Sequence, residues 1–570
     1  MNTRLKYQIN APYVENLFKA RGIEDINHFL NPLVEDIESP HLLNNIEAGV
    51  SLLKECEGHS ALTIVDPDAD GYCASAILLN YLHDQFQDWH IDFFIHDGKN
   101  HGLEDVIALT DLTQYDIVFL PDSGSNDDAF FECYPDTHFL VLDHHLRSII
   151  EEPPKNCVII NNQLSDNYKN KALSGAGVTW QFCRACDETF NTDYADKYID
   201  LAAVALIGDI MDTTTTENRA IIKKGLNNIE NLFLRDLIDN ASYSIGSGEL
   251  SPINIAFYVV PMINAMCRMG NLEEKQRMFL SFIDPMFMVE CHKRGAAKGT
   301  MVNVASESVR ECTNAKAHQK KAQAKMAELC DKVILEQNLT DNKIFVIELG
   351  EEFDGIPTEM NGLTATKIAN DYGHPTLIGR VGNDGILKGS IRGLTTLDMP
   401  PLKEFLESSG MFEFLEGHSN AAGYGIKISS IPAFIEWSNK ELAHLDIAEK
   451  TYEVDFEFNG TDPQIEKIIL DLEEAKATWG QGNPEPIFHI KNIRAQSYNV
   501  QVMGKNSDTV KISYNNIAYM FFKRPLEEVK ELIKGGDFEI VGTANVNFWG
   551  NKKTAQIFVT DYVQKDDLAF

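Results

Sequence analysis

Five short apolar runs, separated by helical stretches, constrain the fold of this chain more than any other feature. Short, mostly apolar runs of this length are typical of strands that are buried on both faces. Their alternation with helical segments, such as 74–82, predicts a parallel, doubly wound α/β sheet. The runs span residues 61–65, 91–95, 117–120, 139–142 and 158–160.

Acidic and histidine residues directly follow several of these runs. In open α/β sheets, ligands bind outside the carboxyl ends of the strands, so we expect these side chains to meet at one edge. Carboxylates and imidazoles suit manganese or a similar divalent ion, and so many carboxylates would repel one another without cations between them. The residues are Asp66, Asp68 and Asp70 after the first run, Asp122 after the third, Asp143, His144 and His145 after the fourth, and Asp209 after a further apolar stretch at 201–206.

Each of these residues has a simpler explanation when it is taken alone. An aspartate after a strand is often a helix N-cap, and a lone buried histidine is usually structural. The alternating Asp66, Asp68 and Asp70 could by themselves form a calcium-type loop. Because the coincidence involves four segments of the chain, it favours a metal site.

The rest of the chain predicts further units around this sheet. The segment 293–332 is rich in Ala, Lys, Gln and Glu and contains no Pro, which predicts one long connecting helix. The last residues are rich in strands, which suits a small β-barrel such as an OB-fold. The predicted units are a helical lead-in (1–45), the parallel-sheet domain (46–215), a helical region (216–335), a second α/β unit (336–445) and a β-rich tail (446–570).

Charge is distributed unevenly among these units. The chain has 50 Lys and Arg against 85 Asp and Glu, a net charge of −35, which argues against a protein that coats nucleic acid by bulk electrostatics. The segment 291–332 nevertheless carries nine basic residues against four acidic ones, so it could meet a phosphate backbone. No apolar run reaches membrane-spanning length, no signal-peptide core follows Met1, and the ten cysteines are scattered, so we predict a cytoplasmic protein.

Taken together, these motifs resemble the DHH phosphoesterase superfamily, whose namesake triplet stands here at residues 143–145. The chain is most similar to the RecJ family of single-strand-specific 5′→3′ exonucleases, and the likeness covers nearly its whole length. The order and spacing of several modest blocks make the resemblance specific. The blocks are residues 21–23, 29–32, 173–178, 217–219, 261–270, 389–392, 417–423 and 479–486.

This resemblance implies a fold and a set of site residues. The fold is a doubly wound parallel-sheet DHH domain, a second α/β DHH-associated domain joined by a long helix, and a C-terminal OB-like β-barrel. Two divalent ions, manganese or magnesium, would generate a hydroxide for in-line attack on a phosphodiester, with His145 beside the reacting oxygens or orienting the site. The implied ligands are Asp68, Asp70, Asp122, His144 and Asp209, with Asp122 bridging and Asp66 a weaker candidate.

The resemblance also implies that the second α/β unit forms the other wall of a cleft, in which Arg268, Ser390, Arg392 and His418 would hold phosphate. Surface salt bridges are the simpler explanation for the two arginines. The implied activity is degradation of single-stranded DNA to mononucleotides in repair or recombination. The enzyme would be a monomer, with a single-stranded-DNA-binding protein or a helicase as candidate partners. The acidic tip 566–570 resembles partner-recruiting tails, although a frayed end is the simpler explanation.

Two other functions remain open at this point. One is a DHH phosphodiesterase that acts on short oligonucleotides or cyclic dinucleotides, although the basic segment and the β-rich tail favour a polymer. The other is a non-enzymatic replication scaffold, against which the intact acidic residues argue. RNA also remains open as a substrate, because metals and phosphates do not read the 2′-hydroxyl.

Overall fold

The parallel sheet forms at the predicted place. A computed structural model describes residues 1–98, 101–245, 250–395, 397, 399–445, 451–549 and 552–565. Strand β1 (Asn2–Leu5) lies outside this sheet, which has the order β3-β2-β4-β5-β6 with every neighbour parallel. Its strands are β2 (Ala61–Val65), β3 (Ile91–Ile95), β4 (Ile117–Pro121), β5 (His138–Asp143) and β6 (Cys157–Asn161).

Helices cover the sheet, as the pattern predicts. The central helix α4 is buried along most of its length. Most side chains of its segment 71–79 are small or apolar on every face of the helix, so no single face is reserved for water. The helices up to the end of this domain are α1 (Tyr13–Ala20), α2 (Ile26–Leu30), α3 (Ile46–Glu55), α4 (Ala69–Gln85), α5 (Val106–Leu109), α6 (Asp128–Phe131), α7 (Gly175–Phe190) and α8 (Ile199–Gly208).

A helical region follows and ends in a long helix. A π-helical turn at Ile255–Val259 joins α12 to α13. The elements are α9 (Thr216–Asn227), α10 (Leu232–Asn240), α11 (Ser242–Ile245), α12 (Pro252–Asn254), α13 (Val260–Met269), α14 (Leu272–Ile283), β7 (Met288–Glu290), β8 (Met301–Asn303) and α15 (Val304–Glu336).

The prediction of one helix over 293–332 is wrong at its start. The strands β7 and β8 form an antiparallel hairpin, and α15 begins only after it. Gly295 and Gly299 turn the hairpin loop with φ of +90° and +81°, values that a helix does not allow. The side chain of Asn303 then accepts a hydrogen bond from the backbone N–H of Ser306 at 2.9 Å, so it caps the true beginning of the helix.

The second α/β unit contains a mixed five-stranded sheet of order β12-β13-β11-β10-β9, in which only β9 and β10 are parallel. Its strand β11 carries Ser390 and Arg392 and pairs with β13. The elements are β9 (Phe345–Glu348), α16 (Met360–Tyr372), β10 (Thr376–Val381), β11 (Ile386–Arg392), α17 (Leu402–Ser408), β12 (Phe412–His418), β13 (Ala421–Lys427) and α18 (Ile431–Glu441).

The tail folds around a seven-stranded sheet of order β15-β16-β20-β21-β19-β18-β17, in agreement with the predicted β-rich domain. Among the described residues, no helix combines the length and the apolar character needed to cross a membrane. The elements are β14 (Thr451–Val454), β15 (Phe456–Asn459), α19 (Gln464–Glu473), β16 (Ile487–Ala495), β17 (Val500–Met503), β18 (Thr509–Tyr514), β19 (Ile517–Phe521), α20 (Leu526–Leu532), β20 (Gly536–Trp549) and β21 (Lys552–Lys565).

The lead-in packs on this tail, far away in sequence. Strand β1 pairs in parallel with β14, and Phe18 stacks on Trp479 with the ring centroids 5.6 Å apart. Arg219 from α9 is buried beside both regions and donates hydrogen bonds to the carbonyls of Phe29 and Ala477. The first and last parts of the chain therefore share one core, clamped to the parallel-sheet domain.

This packing predicts the outcome of a truncation. Removing residues 451–570 should expose the buried Leu17, Phe18 and Phe29, each worth about 1.5–3 kcal/mol of burial. We expect the fragment 1–450 to aggregate, whereas the fragment 46–450, which also lacks the lead-in, should be more soluble. Soluble yield and thermal unfolding measure the difference. A soluble, cooperatively unfolding 1–450 fragment would contradict the shared core.

Candidate functional site

Three neighbouring strands deliver aspartates to one edge of the parallel sheet. Asp66 follows β2, Asp122 follows β4 and Asp143 ends β5, and each side chain is at most 2 % exposed. Asp68 caps α4, because its carboxylate accepts hydrogen bonds from the backbone N–H groups of Asp70 and Gly71 at 2.9 and 3.1 Å. The N-cap explanation therefore holds for Asp68, but it does not account for the residues around it.

The amino end of α7 fixes the carboxylate of Asp70. The backbone N–H groups of Gly175 and Ala176 donate to its two oxygens at 2.8 and 2.9 Å. A Cβ atom on Gly175 would lie only 2.2 Å from Oδ1 of Asp122, so only glycine permits this approach. Asp122 itself has a φ of +69°, a strained conformation for an aspartate. The backbone thus holds Asp70 and Asp122 close together.

His144 faces three carboxylates at the centre of the cluster. Its Nε2 lies 3.3 Å from Oδ1 of Asp122, 3.4 Å from Oδ2 of Asp209 and 3.8 Å from Oδ2 of Asp70. Three groups of residues at this edge of the sheet could each hold a metal ion. Within each group, the possible ligand atoms all lie within 4.8 Å of one another. The groups are Asp70, His144 and Asp209; Asp66, Asp68 and Asp122; and Asp122, His144 and His145.

The electrostatics of the cluster fit divalent cations. Burial, reinforced by neighbouring carboxylates, raises the pKa of Asp209 to about 8 and the pKa of Asp122 well above its usual range. Burial also lowers the pKa of His144, which favours the neutral imidazole that ligates metals. The Oδ1 atom of Asp122 is buried and accepts no hydrogen bond from the described residues. A buried carboxylate oxygen that accepts no hydrogen bond and lies among other carboxylates is what a cation site offers.

Two histidines on the rim are each anchored by a buried carboxylate. Nδ1 of His145 lies 2.8 Å from Asp143, and this hydrogen bond raises the pKa of His145 to about 9. Nδ1 of His101 lies 2.8 and 2.9 Å from the two oxygens of Asp66. Sequence reasoning missed His101, although it lies between β3 and β4, where the strand-end rule also applies.

A cleft of about 820 Å³ opens beside the acidic cluster and brings in the other units. Asp68 and Asp209 line one side, and Lys403 and His418 of the second α/β unit line another. Gln481 at the entry to the tail completes it, and its carbonyl accepts a hydrogen bond from the backbone of Thr213. His418 therefore faces the acidic cluster across a cleft that one strand of a polymer could enter.

The predicted phosphate residues are only partly gathered at this cleft. Arg268 lines it, and the half-buried Arg392 lies close enough that burial and the charge of Arg268 lower its pKa. Neither guanidinium has an ion pair with a carboxylate in the described chain, so the salt-bridge explanation fails for both. Ser390 stands on β11 opposite Gly423 and is not among the described residues that line the cleft.

Comparison with protein families gives two matches on this chain. The DHH family, N-terminal domain, matches residues 62–206, which contain the parallel sheet and most of the acidic cluster. The RecJ OB domain matches residues 457–561, which contain most of the tail.

Two curated relatives match nearly the whole of this chain. A prophage-derived protein of Bacillus subtilis (strain 168), YorK, named as a single-strand DNA-specific exonuclease, is 33 % identical over 96 % of this chain and 95 % of its own length. The single-stranded-DNA-specific exonuclease RecJ of the same organism is 23 % identical over 97 % of this chain and 68 % of its own length.

Solved structures share the fold. The crystal structure of RecJ from Thermus thermophilus in complex with Mn²⁺ superposes with a TM-score of 0.70 at 21 % identity, covering 96 % of this chain and 75 % of that one. A second structure, of exonuclease RecJ bound to manganese, gives a TM-score of 0.52 at 24 % identity, covering 71 % of this chain and 96 % of that one.

Proposed function

Since the chain belongs to the RecJ family of DHH phosphoesterases, we propose that it is a metal-dependent exonuclease that degrades single-stranded DNA from the 5′ end to mononucleotides. One observation carries the proposal. A buried cluster of carboxylates with one imidazole stands at the edge of a cleft whose other side carries cations. This arrangement suits a phosphodiester substrate. The basic side chains of the cleft attract the phosphate, and the acidic cluster can hold the metal ions that promote its hydrolysis.

Two divalent ions, manganese or magnesium, fit the acidic cluster. When bound, such ions supply Lewis acidity and an activated water for hydrolysis of the phosphodiester. The N–H groups of Gly175 and Ala176 orient the carboxylate of Asp70. Asp66, which His101 holds, is the weakest of the candidate ligands. The residues that would hold the ions are Asp68, Asp70, Asp122, His144 and Asp209.

His145 is the candidate proton donor of this site. Its Nδ1 is occupied by Asp143, which leaves Nε2 to face a substrate oxygen. Burial opposes ionisation of Asp143, yet the hydrogen bond from His145 lowers the pKa of this carboxyl to about 2. With its own pKa raised to about 9, the imidazole stays protonated near neutral pH and can donate to a non-bridging or leaving oxygen.

The end of the strand would be held by Arg268, Arg392 and His418. We expect Arg392→Ala to reduce the preference for a 5′-phosphorylated strand over a 5′-hydroxyl strand by about 10-fold or more, because a charged hydrogen bond contributes about 1.5–3 kcal/mol. The ratio of kcat/KM for the two strands measures this. Arg380→Ala on the neighbouring strand, where Arg380 pairs with Asp354, is the matched control. An unchanged ratio in Arg392→Ala would move the pocket elsewhere.

The direct test uses internally labelled single-stranded DNA with manganese, offered with a free 5′ end, with a free 3′ end only, and as a circle. Mononucleotides released only where a 5′ end is accessible would establish both activity and polarity. Hydrolysis of dinucleotides without degradation of long strands would favour the phosphodiesterase alternative. Matched RNA strands in the same assay decide the sugar preference.

The cellular setting follows from this activity as a proposal. A 5′→3′ exonuclease for single strands would serve DNA repair or recombination in the cytoplasm, as a monomer, with a single-stranded-DNA-binding protein or a helicase presenting the strand. The acidic tip 566–570, the candidate recruiting segment, lies outside the described residues.

A further inference from the structure

The hairpin that interrupts the predicted helix carries a strongly basic loop. Residues 292–300 are all exposed and include no carboxylate, whereas the whole chain has a net charge of −35. Its Gly295 and Gly299 have positive φ, and a Cβ on either would meet only open space. The backbone N–H of Gly299 donates to Oε1 of Glu290 at 3.0 Å, so one carboxylate lies against the loop. Lys293, Arg294 and Lys298 have no ion pair with a described residue and remain open to a polyanion.

Helix α15 continues this basic surface. Nδ1 of His292, at the base of the loop, lies 3.5 Å from Glu307 and 3.8 Å from Glu311, so the hairpin sits over that face of the helix. Arg310 and Arg277 neutralise the two glutamates. Further along the same face, about four helical turns beyond the glutamates, stand two exposed lysines at positions 321 and 325.

The loop and the helix thus form one basic surface. We call the basic ridge those of its cations that lie in the loop or on the helix face of Glu307 and that have no ion pair with a described residue. They are Lys293, Arg294, Lys298, Lys321 and Lys325.

The basic ridge does not face the cleft. Lys316 and Gln319 of α15 line an apolar cavity of about 540 Å³ that adjoins the cleft through Arg268. At about 100° per residue, Lys321 points about 140° and Lys325 about 180° away from Lys316. A strand that is being cut in the cleft does not reach these lysines across the body of the helix.

We propose that the basic ridge binds the phosphate backbone of duplex DNA outside the cleft. The inference rests on the proposed function, because a single-strand nuclease working on a partly duplex molecule must leave the duplex outside. Duplex DNA carries about one negative charge per 1.7 Å and is a stiff rod. From Glu307, over which the loop sits, to Lys325 the helix rises about 27 Å, so the loop and the two lysines are held apart along one helix. Cations at a fixed spacing suit a stiff rod better than a flexible strand.

The test measures binding of the full-length protein to a blunt duplex of about two helical turns, without divalent metal, by fluorescence anisotropy. Replacing all five ridge residues by Ala should weaken duplex binding at least about 10-fold at low salt. The slope of log K against log salt should flatten by about 0.9 for each phosphate that the variant no longer neutralises. The matched control removes the same number of charges elsewhere and should shift affinity less than about twofold. It replaces five exposed lysines that have no ion pair with a described residue, Lys54, Lys155, Lys169, Lys440 and Lys467.

Hydrolysis of a short single strand is assayed separately with manganese and should be unchanged in the ridge variant, so failure of this inference and failure of the proposed function are distinguishable. Duplex binding equal to that of the control variant would overturn the inference. Binding to poly-glutamate is measured in the same way. A ridge variant that keeps duplex binding but loses poly-glutamate binding would also overturn the inference, because the ridge would then bind an acidic protein.

Discussion

Replacing His144 by Ala or Asp70 by Asn is expected to reduce hydrolysis of single-stranded DNA by about 1,000-fold or more. Nε2 of His144 lies within 3.8 Å of three carboxylates, and Asp70 is held by two backbone N–H groups. Each position therefore supports the cation site directly. Loss of several kcal/mol of transition-state stabilisation corresponds to this reduction, at about 1.36 kcal/mol for each factor of ten.

The control for these variants lies on the same strand. His138 begins β5 and is exposed at the end of the sheet away from the cluster, so His138→Ala should retain full activity. Circular dichroism and thermal unfolding should show that all three variants remain folded, because Asn keeps the shape of Asp70 and His144 lies at the rim of the core. Substantial hydrolysis by His144→Ala in a folded state would refute the assignment of the metal site.

Removing divalent ions should abolish hydrolysis and make the stability of the protein depend on pH. Burial raises the pKa of Asp66 to about 7 and that of Asp209 to about 8. A carboxyl whose folded pKa is raised favours the folded state below its unfolded pKa, and that stability is lost as the pH rises through the folded value. The melting temperature of the metal-free protein should therefore fall as the pH rises from about 4 to about 8.

Manganese should cancel this fall, because bound cations compensate the ionised carboxylates and binding stabilises the folded state by about 2.7 kcal/mol at 100 times the dissociation constant. Asp122→Asn removes a carboxyl whose ionisation burial and its neighbours oppose. It should therefore raise the melting temperature of the metal-free protein at the upper end of this pH range, while losing hydrolysis and most of the manganese effect. Asp111→Asn, at an exposed 3₁₀ turn, is the matched control and should change none of these. A metal-free protein whose stability does not depend on pH in this range would contradict the raised pKa values.

The parallel sheet and the acidic cluster could be predicted because their signals are local. Each apolar run is one strand, and each aspartate follows its strand directly, so topology alone brings Asp66, Asp122 and Asp143 together. His101 escaped prediction because it stands well beyond Ile95, the last residue of β3, so the end of the strand does not fix where its side chain lies. For Asp68 the two interpretations are compatible. Its side chain caps α4, and it also lies among the possible metal ligands of the cluster.

The hairpin and the shared core escaped prediction for different physical reasons. Lysine, arginine and alanine outnumber glycine within 293–299 and favour a helix, so composition could not reveal that two glycines adopt positive φ there. The pairing of β1 with β14 joins residues about 450 positions apart in the chain, and no local pattern encodes such a contact. The sequence also could not decide whether Arg392 forms a surface salt bridge. Only the structure shows that it has no carboxylate partner among the described residues.

The union of the lead-in with the tail has a consequence for synthesis on the ribosome. Leu17, Phe18 and Phe29 emerge first, yet their partners around Trp479 and Phe488 emerge some 450 residues later. At about 5–20 residues per second, this delay is roughly 25–90 s. The apolar lead-in must wait unpartnered for that time, and Arg219 cannot bond to the carbonyl of Ala477 until that residue has been made. A chain that stops before residue 477 therefore keeps these apolar side chains exposed, and we expect chaperones to bind it or proteases to degrade it.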